Sequence, residues 1–320
     1  MQKGINAERQ GKFDLSSLTT LFVLAGLCIV LAIISKGIFI TKGNLLNIAA
    51  QVTVNAIVSV GMTIVLFTGG IDLSVGSVLG FSGMLLALLL KAGIPVPLAI
   101  VACLVIGCLC GLINGLLITA GKLPPFIATL GIMNVARAGA LLISGGRSIS
   151  AFPASFRFIG AERIPGTGIP VQVIFMLILY VAAYYLLRYR KTGRFIYSIG
   201  GNKEATRLSG INVRRYECVA YVISGLTAAI AAVVLVSKLN AVQATAGMGY
   251  EMDAVAAAVI GGTSLSGGVG SIWGTILGAV MIGVIRNGLN LMNANSYLQQ
   301  GIIGVVIIIA VLIDMAKKRK

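Results

Sequence analysis

Nine acidic side chains occur in this 320-residue chain, and four of them stand where they could do chemistry. Asp72 closes the run Gly69-Gly70-Ile71-Asp72, ahead of Leu73 and Ser74. Glu251 and Asp253 follow Tyr250 at the start of a short apolar stretch, and Glu204 lies between Lys203 and Arg207. An acid beside a membrane-type run is expensive and is a functional candidate by default. The plainer readings are a helix cap for Asp72, and first-turn acids that suit the helix dipole for Glu251 and Asp253. General acid–base or metal chemistry would want such groups clustered with histidine, and the chain has none. The five cysteines, at 28, 103, 108, 110 and 218, form no C-x-x-C pair and read as small packing residues. The nearest approach to a phosphate loop, Gly115 to Lys122, has one residue too many between its glycines and Leu123 where Ser or Thr is needed. No catalytic residue and no metal ligand is assigned.

The elements that must hold these acids are apolar. Hydrophobic residues make up 58% and charged residues 11%, far below the roughly one quarter charged of a soluble domain. Runs of membrane-spanning length are read at about 18–34, 45–67, 74–90, 96–119, 126–144, 170–187, 216–237, 250–262, 272–292 and 298–313. The expectation is an all-α integral membrane protein of about ten transmembrane helices, forming one membrane domain over 1–320. Lys3, Arg9 and Lys12 precede a first run too long for a signal-peptide core and without an A-x-A site, so that run is expected to stay as a span.

The net charge of +16 is confined to short segments between the runs, which argues against nucleic acid as a partner. Eight basic residues and one acid, Glu204, fall between Arg188 and Arg215. The positive-inside rule puts this 188–215 segment in the cytoplasm. Counting spans outward then places both termini there, beside Lys3, Arg9 and Lys12 and beside Lys317 to Lys320. The 145–169 loop falls on the opposite, periplasmic side.

The chain also echoes itself. Gly69 to Gly76 resembles Gly261 to Gly268, Asn114-Gly115 resembles Asn287-Gly288, and each half carries a glycine ladder, Gly107, Gly111 and Gly115 and then Gly270, Gly274 and Gly278. Small residues four apart let helices pack closely in lipid. The 250–260 stretch would reach only about 16 Å as a helix, half the hydrocarbon thickness, so this span must be broken or bent. Broken backbone at membrane depth is tolerated where protein buries it or a wet cavity adjoins it. Paired breaks in two halves point to a transport path. Candidate path or gate residues are Asn55, Gly69, Gly70, Asp72, Ser74, Glu251, Asp253, Gly261, Gly262, Ser264 and Ser266. Whether the repeat is inverted or parallel is open.

Within the basic segment, Asn202 is a good N-cap and Gly210 a good residue to follow a helix end, which predicts a two-turn helix over Lys203 to Ser209. A helix this short is marginal alone and needs a docking surface. Basic residues would draw it to lipid headgroups, whereas Ala205, Leu208 and Gly210 favour a protein groove.

Gly201-Asn202-Lys203-Glu204-Ala205-Thr206-Arg207-Leu208-Ser209-Gly210-Ile211-Asn212 resembles the ATPase-coupling segment of the monosaccharide permeases of ABC importers, the ribose branch in particular. The stretches 69–77, 246–265 and 287–291 are similar to the same family in order and spacing, and 145–169 carries little of the resemblance. The family implies a transport subunit, not an enzyme, in the bacterial inner membrane, embedded in lipid. It implies a homodimer, a cytoplasmic ABC ATPase that binds ATP and Mg so that this chain holds no cofactor, and a periplasmic sugar-binding protein. The implied cargo is ribose or a similar pentose or hexose. Other ABC cargoes, such as a branched-chain amino acid or a furanosyl signal, and ATP-independent transport are the alternatives.

Overall fold

The structure, a computed structural model, describes residues 15–318; Lys3, Arg9, Lys12, Arg319 and Lys320 lie outside the described residues. It is helical nearly throughout: α1 Leu15–Ile34, α2 Lys42–Phe67, α3 Val75–Lys91, α4 Val96–Thr119, α5 Pro125–Ser144, α6 Ala154–Ala161, α7 Val171–Tyr189, α8 Lys191–Gly201, α9 Lys203–Leu208, α10 Val213–Leu239, α11 Tyr250–Ile260, α12 Ile272–Leu291 and α13 Ser296–Lys318. A two-residue ribbon pairs β1 Ile149–Ser150 antiparallel with β2 Ala241–Val242. The helices start where the chemistry asks them to. Pro95, Pro124 and Pro170 precede α4, α5 and α7, and the Thr41, Asn202 and Asn212 side chains accept backbone N–H groups at the starts of α2, α9 and α10.

Six helices, α2, α4, α5, α7, α10 and α12, are long and apolar enough to cross a membrane; α1, α3 and α13 carry shorter apolar stretches. The expected runs thus appear as helices, and among the described residues six of them have the length and apolar composition of a crossing. Two polar segments hold more structure than a loop reading gives them: 188–215 contains α8 and α9, and 145–169 contains β1 and α6.

The buried centre is α2 and α10, while α4, α5 and α7 turn most of their apolar side chains outward. Tyr180 of α7 donates to the Ala56 carbonyl of α2 at 3.0 Å, and the Thr63 and Thr275 hydroxyls join α2 to α12 at 2.8 Å. The glycine ladders are helix contacts. Gly107, Gly111 and Gly115 of α4 lie on the backbone of α10 around Gly225, where an added methyl would strike main chain that no rotamer can move. Gly274 and Gly278 of α12 meet α11 in the same way, but Gly270 stands before α12 begins.

Two stretches of non-helical chain enter the bundle. After α2 ends, Gly69 to Ser74 turns back inward. Asp72 bonds Ser224 of α10, and Ser224 packs at Gly61 of α2, six residues or about 9 Å before Phe67. The second stretch runs from β2 to α11 along α3 in the opposite direction. Val242 lies at Gly83, the Ala244 and Ala246 carbonyls at Gly80, and the Gly247 carbonyl at Gly76. Seven residues of α3 separate Gly83 from Gly76, so this chain descends about 10 Å before α11 starts. α11 itself adds roughly 16 Å.

The echoed motifs are not used equivalently. Asn114 reaches the Asp72 segment, whereas Asn287 exchanges hydrogen bonds of 2.9 and 3.0 Å with Asn44 at the far end of α2. In the first half the Gly-Gly and Asn-Gly motifs meet; in the second a helix length divides them.

Candidate translocation and coupling site

The sequence-predicted residues gather in three places. At the end of the bundle that carries α9, the short helix runs Lys203–Leu208 with the Asn202 Oδ1 accepting from Ala205 N at 2.9 Å, and Gly210 takes the left-handed conformation just after it (φ 80°). Thr206 is its one buried side chain, and its hydroxyl donates to the Ser198 carbonyl of α8 at 2.9 Å. Lys203 Nζ donates to both carboxylate oxygens of Glu217 at 2.9 Å, which ties α9 to the first turns of α10. Glu217 is buried while Lys203 stays largely in solvent. Glu204 and Arg207 pair outward at 2.6 Å, and that guanidinium holds the Glu204 carboxyl below the usual carboxylate range. Ala205, Arg207, Ser209 and Leu208, the last 76% exposed, face away from the chain.

Behind α9 lies a junction of three backbones. Gly268 N donates to the Phe67 carbonyl at 3.0 Å, Tyr197 of α8 donates to the Gly270 carbonyl at 3.1 Å, and the Tyr197 and Phe67 rings stack at 4.3 Å. A methyl on Gly200 would collide with the Phe67 carbonyl oxygen and Gly268 N. Gly69 meets the Ser266 carbonyl, and Gly267 meets Gly69 N. The end of α8, the 261–270 segment and the start of the 69–74 segment are therefore in direct contact. Gly261, Gly262, Ser264 and Ser266 belong to this junction or its flank, with Ser264 and Ser266 3.4 Å apart.

Asp72 and Ser74 form a second cluster in the interior. Asp72 Oδ1 accepts from Ser74 N at 3.0 Å and Ser74 Oγ at 2.6 Å, and its Oδ2 accepts from Ser224 Oγ at 2.7 Å. Asn114 of α4 donates to Ser74 Oγ at 2.8 Å. Gly70 packs at the Tyr221 hydroxyl. Asp72 thus holds Ser74, the residue that precedes α3, and links it to α4 and α10; it bonds no N–H of the helix's first turn, so it is not a simple helix cap.

The third place is a pocket of about 50 Å³ between α2, α11 and α12, lined among others by Gln51, Asn55, Tyr250, Asp253 and Arg286. It has room for a few water molecules. Arg286 of α12 pairs with Asp253 at 2.5 Å. Asn55 Oδ1 and Arg286 Nε have no protein hydrogen-bond partner there. Glu251 is not among the pocket residues; its Oε1 accepts from Gly249 N at 3.2 Å, and it lies beside Gly76 of α3. Asn55 and Asp253 are brought together, while Asp72 and the Gly-Gly pairs sit elsewhere.

Sequence reasoning missed Glu217, Arg286 and Arg137. Each is a charged residue inside an apolar run, a signal that was present and is by itself a reason for attention. Among the described residues no group of three potential metal ligands occurs.

Comparison with known proteins adds the following. The sequence model of the family described as branched-chain amino acid transport system / permease component matches residues 44–311. The chain is 42% identical to the ribose import permease protein of Escherichia coli K12, over 92% of this chain and 93% of that protein. It is 45% identical to the ribose import permease protein of Bacillus subtilis, over 93% and 91%, and 39% identical to the D-allose transport system permease protein of E. coli K12, over 92% and 90%. No solved structure matches.

Proposed function

This chain belongs to the branched-chain amino acid transport system permease family, and on that premise we propose that it is the membrane subunit of an ATP-driven importer for ribose or a closely similar monosaccharide. The observation that carries the cargo is the high identity, along almost the whole chain, to permeases named for ribose. The permease for allose, another monosaccharide, points to the same branch. The chain is a transport subunit of the inner membrane; hydrolysis of ATP with Mg belongs to a separate cytoplasmic ATPase, and this chain holds no cofactor of its own.

In this reading the chain crosses the membrane ten times, with both termini and the α8–α9 segment in the cytoplasm. The α11 crossing is completed by the non-helical stretch before it. Two copies assemble around a central path in lipid, and a periplasmic sugar-binding protein docks over the 145–169 region. The small pocket at Asn55, Asp253 and Arg286 supports a path that widens during transport, since room for a few water molecules does not hold a sugar. Its Asn55 carbonyl and Arg286 donor suit sugar hydroxyls, and their small number suits a site that binds weakly and releases inward.

The outward side chains of α9, Glu204, Ala205, Arg207 and Leu208, are offered to the ATPase. Movement of α9 reaches the membrane helices by two routes: directly from Lys203 to Glu217 on α10, and through Thr206 to α8, whose end makes the glycine junction with the 261–270 and 69–74 segments. Such coupling requires that ATP favour one gate state through differential contacts. Reconstitution with the ATPase and the binding protein in liposomes tests the assignment. Ribose should accumulate only with ATP and the binding protein; uptake by the permease alone without nucleotide would move it to the secondary transporters.

A further inference from the structure

Arg137 stands in the body of α5, a helix otherwise suited to lipid, and neither the coupling contacts nor the pocket uses it. A guanidinium at membrane depth is expensive and is kept where it does work. Its Nη1 donates to the Ala244 carbonyl at 2.5 Å and to the Ala246 carbonyl at 2.8 Å. Both acceptors belong to the descending stretch between β2 and α11, which is not helical: the Gln243, Thr245 and Gly247 carbonyls accept N–H groups of its own turns, and those of Ala244 and Ala246 are left to Arg137. Backbone of this kind persists at membrane depth only when protein groups satisfy it. Ala244 is buried, and the stretch lies so close to α3 at Gly76 and Gly80 that side chains there would exclude it. The same stretch delivers Tyr250 and Asp253 to the pocket.

We propose that Arg137 is a positioning residue for transport: it clamps the 243–249 stretch in its inward-running course and so sets where the pocket-lining start of α11 stands. The consequence for transport rests on the function proposed above; the clamp itself does not. One nitrogen bonding two carbonyls fixes the stretch to α5, so α5 and the start of α11 move as one piece. A neutral apolar residue at 137 would leave both carbonyls without that donor and free the stretch to shift toward water.

The test uses the full chain with its five cysteines replaced, a single reporter cysteine at Ala244 or Thr245, and a membrane-impermeant maleimide. Thr245 is exposed in the single chain and serves as the labelling control. The Ala244→Cys reporter should label slowly in the parent, at least about 10-fold faster with Arg137→Met, and near the parent rate with Arg137→Lys, which restores a donor. ATP-driven ribose uptake by Arg137→Met should fall at least about 10-fold with unchanged membrane insertion and ATPase co-purification, and Arg137→Lys should recover most of it. Parent-like labelling in Arg137→Met overturns the clamp, and parent-like uptake alongside faster labelling overturns its role in transport. Should Arg137→Met not accumulate, Arg137→Gln is read in the same assays. If neither accumulates while Arg137→Lys does, Arg137 serves folding alone and the proposal is wrong. A parent that labels as described but moves no sugar would instead count against the proposed function.

Discussion

Lys203 Nζ sits 2.9 Å from each carboxylate oxygen of Glu217, so the six-residue helix α9 is fastened by a cation in water to an acid inside the start of α10. A helix of this length would be marginal alone. This contact and the Thr206 bond to α8 supply the surface it needs.

Removing either partner should be felt unequally. Lys203→Met leaves the Glu217 carboxylate buried without its donor and should destabilise by about 1–3 kcal/mol, whereas Glu217→Gln leaves Lys203 free to meet water and should cost less. Thermal unfolding in detergent measures both. If Lys203→Met were neutral, the pair would be a passive surface contact.

The Asp72 cluster makes a different prediction. Ser224→Ala withdraws the donor to Asp72 Oδ2, which accepts at 2.7 Å, and should cost about 1–2 kcal/mol, in the range of hydrogen bonds between membrane helices. Asp72→Ala also removes the acceptor for Ser74 N and Oγ at the entry to α3 and should cost more. Equal losses from the two would mean that the links to Ser74 add nothing.

Glycine substitutions should separate packing from propensity. Gly225→Ala meets the Gly107 carbonyl and cannot be relieved by a rotamer, so it should destabilise by about 1–3 kcal/mol. Gly131 of α5 has nothing within 4 Å of an added methyl, and Gly131→Ala should be neutral or slightly stabilising. Melting midpoints of the two variants check the contrast.

The Glu204 carboxyl is held below its ordinary value of 4.5 by Arg207. Its contribution to α9 is therefore complete above pH about 4.5 and is lost as pH falls through the lower folded value. Arg207→Gln should return the Glu204 titration, followed by NMR of the side-chain carboxyl, to the ordinary range. An unchanged titration would deny the pairing in solution.

Much of the architecture was legible because it rests on local signals. Apolar runs marked nearly every long helix, and Asn202 and Gly210 located α9 because capping chemistry is decided within a few residues. The shortness of 250–260 as an apolar run matches the short helix α11, which non-helical chain precedes. What stayed hidden depends on non-local partners. Nothing near Asp72 in sequence tells that Ser224 and Asn114 will meet it, and nothing near Gly200 tells that Phe67 and Gly268 will press on it. The echoed motifs misled because similarity of residues does not fix where along a helix each will sit, as Asn114 and Asn287 show. Glu217, Arg286 and Arg137 were visible as charges in apolar runs, but their roles need the helices that face them.

Whether α9 couples an ATPase to sugar movement is decided by ribose uptake and ATP hydrolysis measured together in liposomes holding the permease with an ATPase and a binding protein. Glu204→Arg and Arg207→Glu change only exposed side chains of α9, so both should insert like the parent and melt close to it, losing only the small contribution of an exposed pair. Each should nevertheless lose at least about 10-fold in uptake and lose stimulation of hydrolysis by the sugar-loaded binding protein. Parent-like uptake and stimulation in both variants would contradict that coupling.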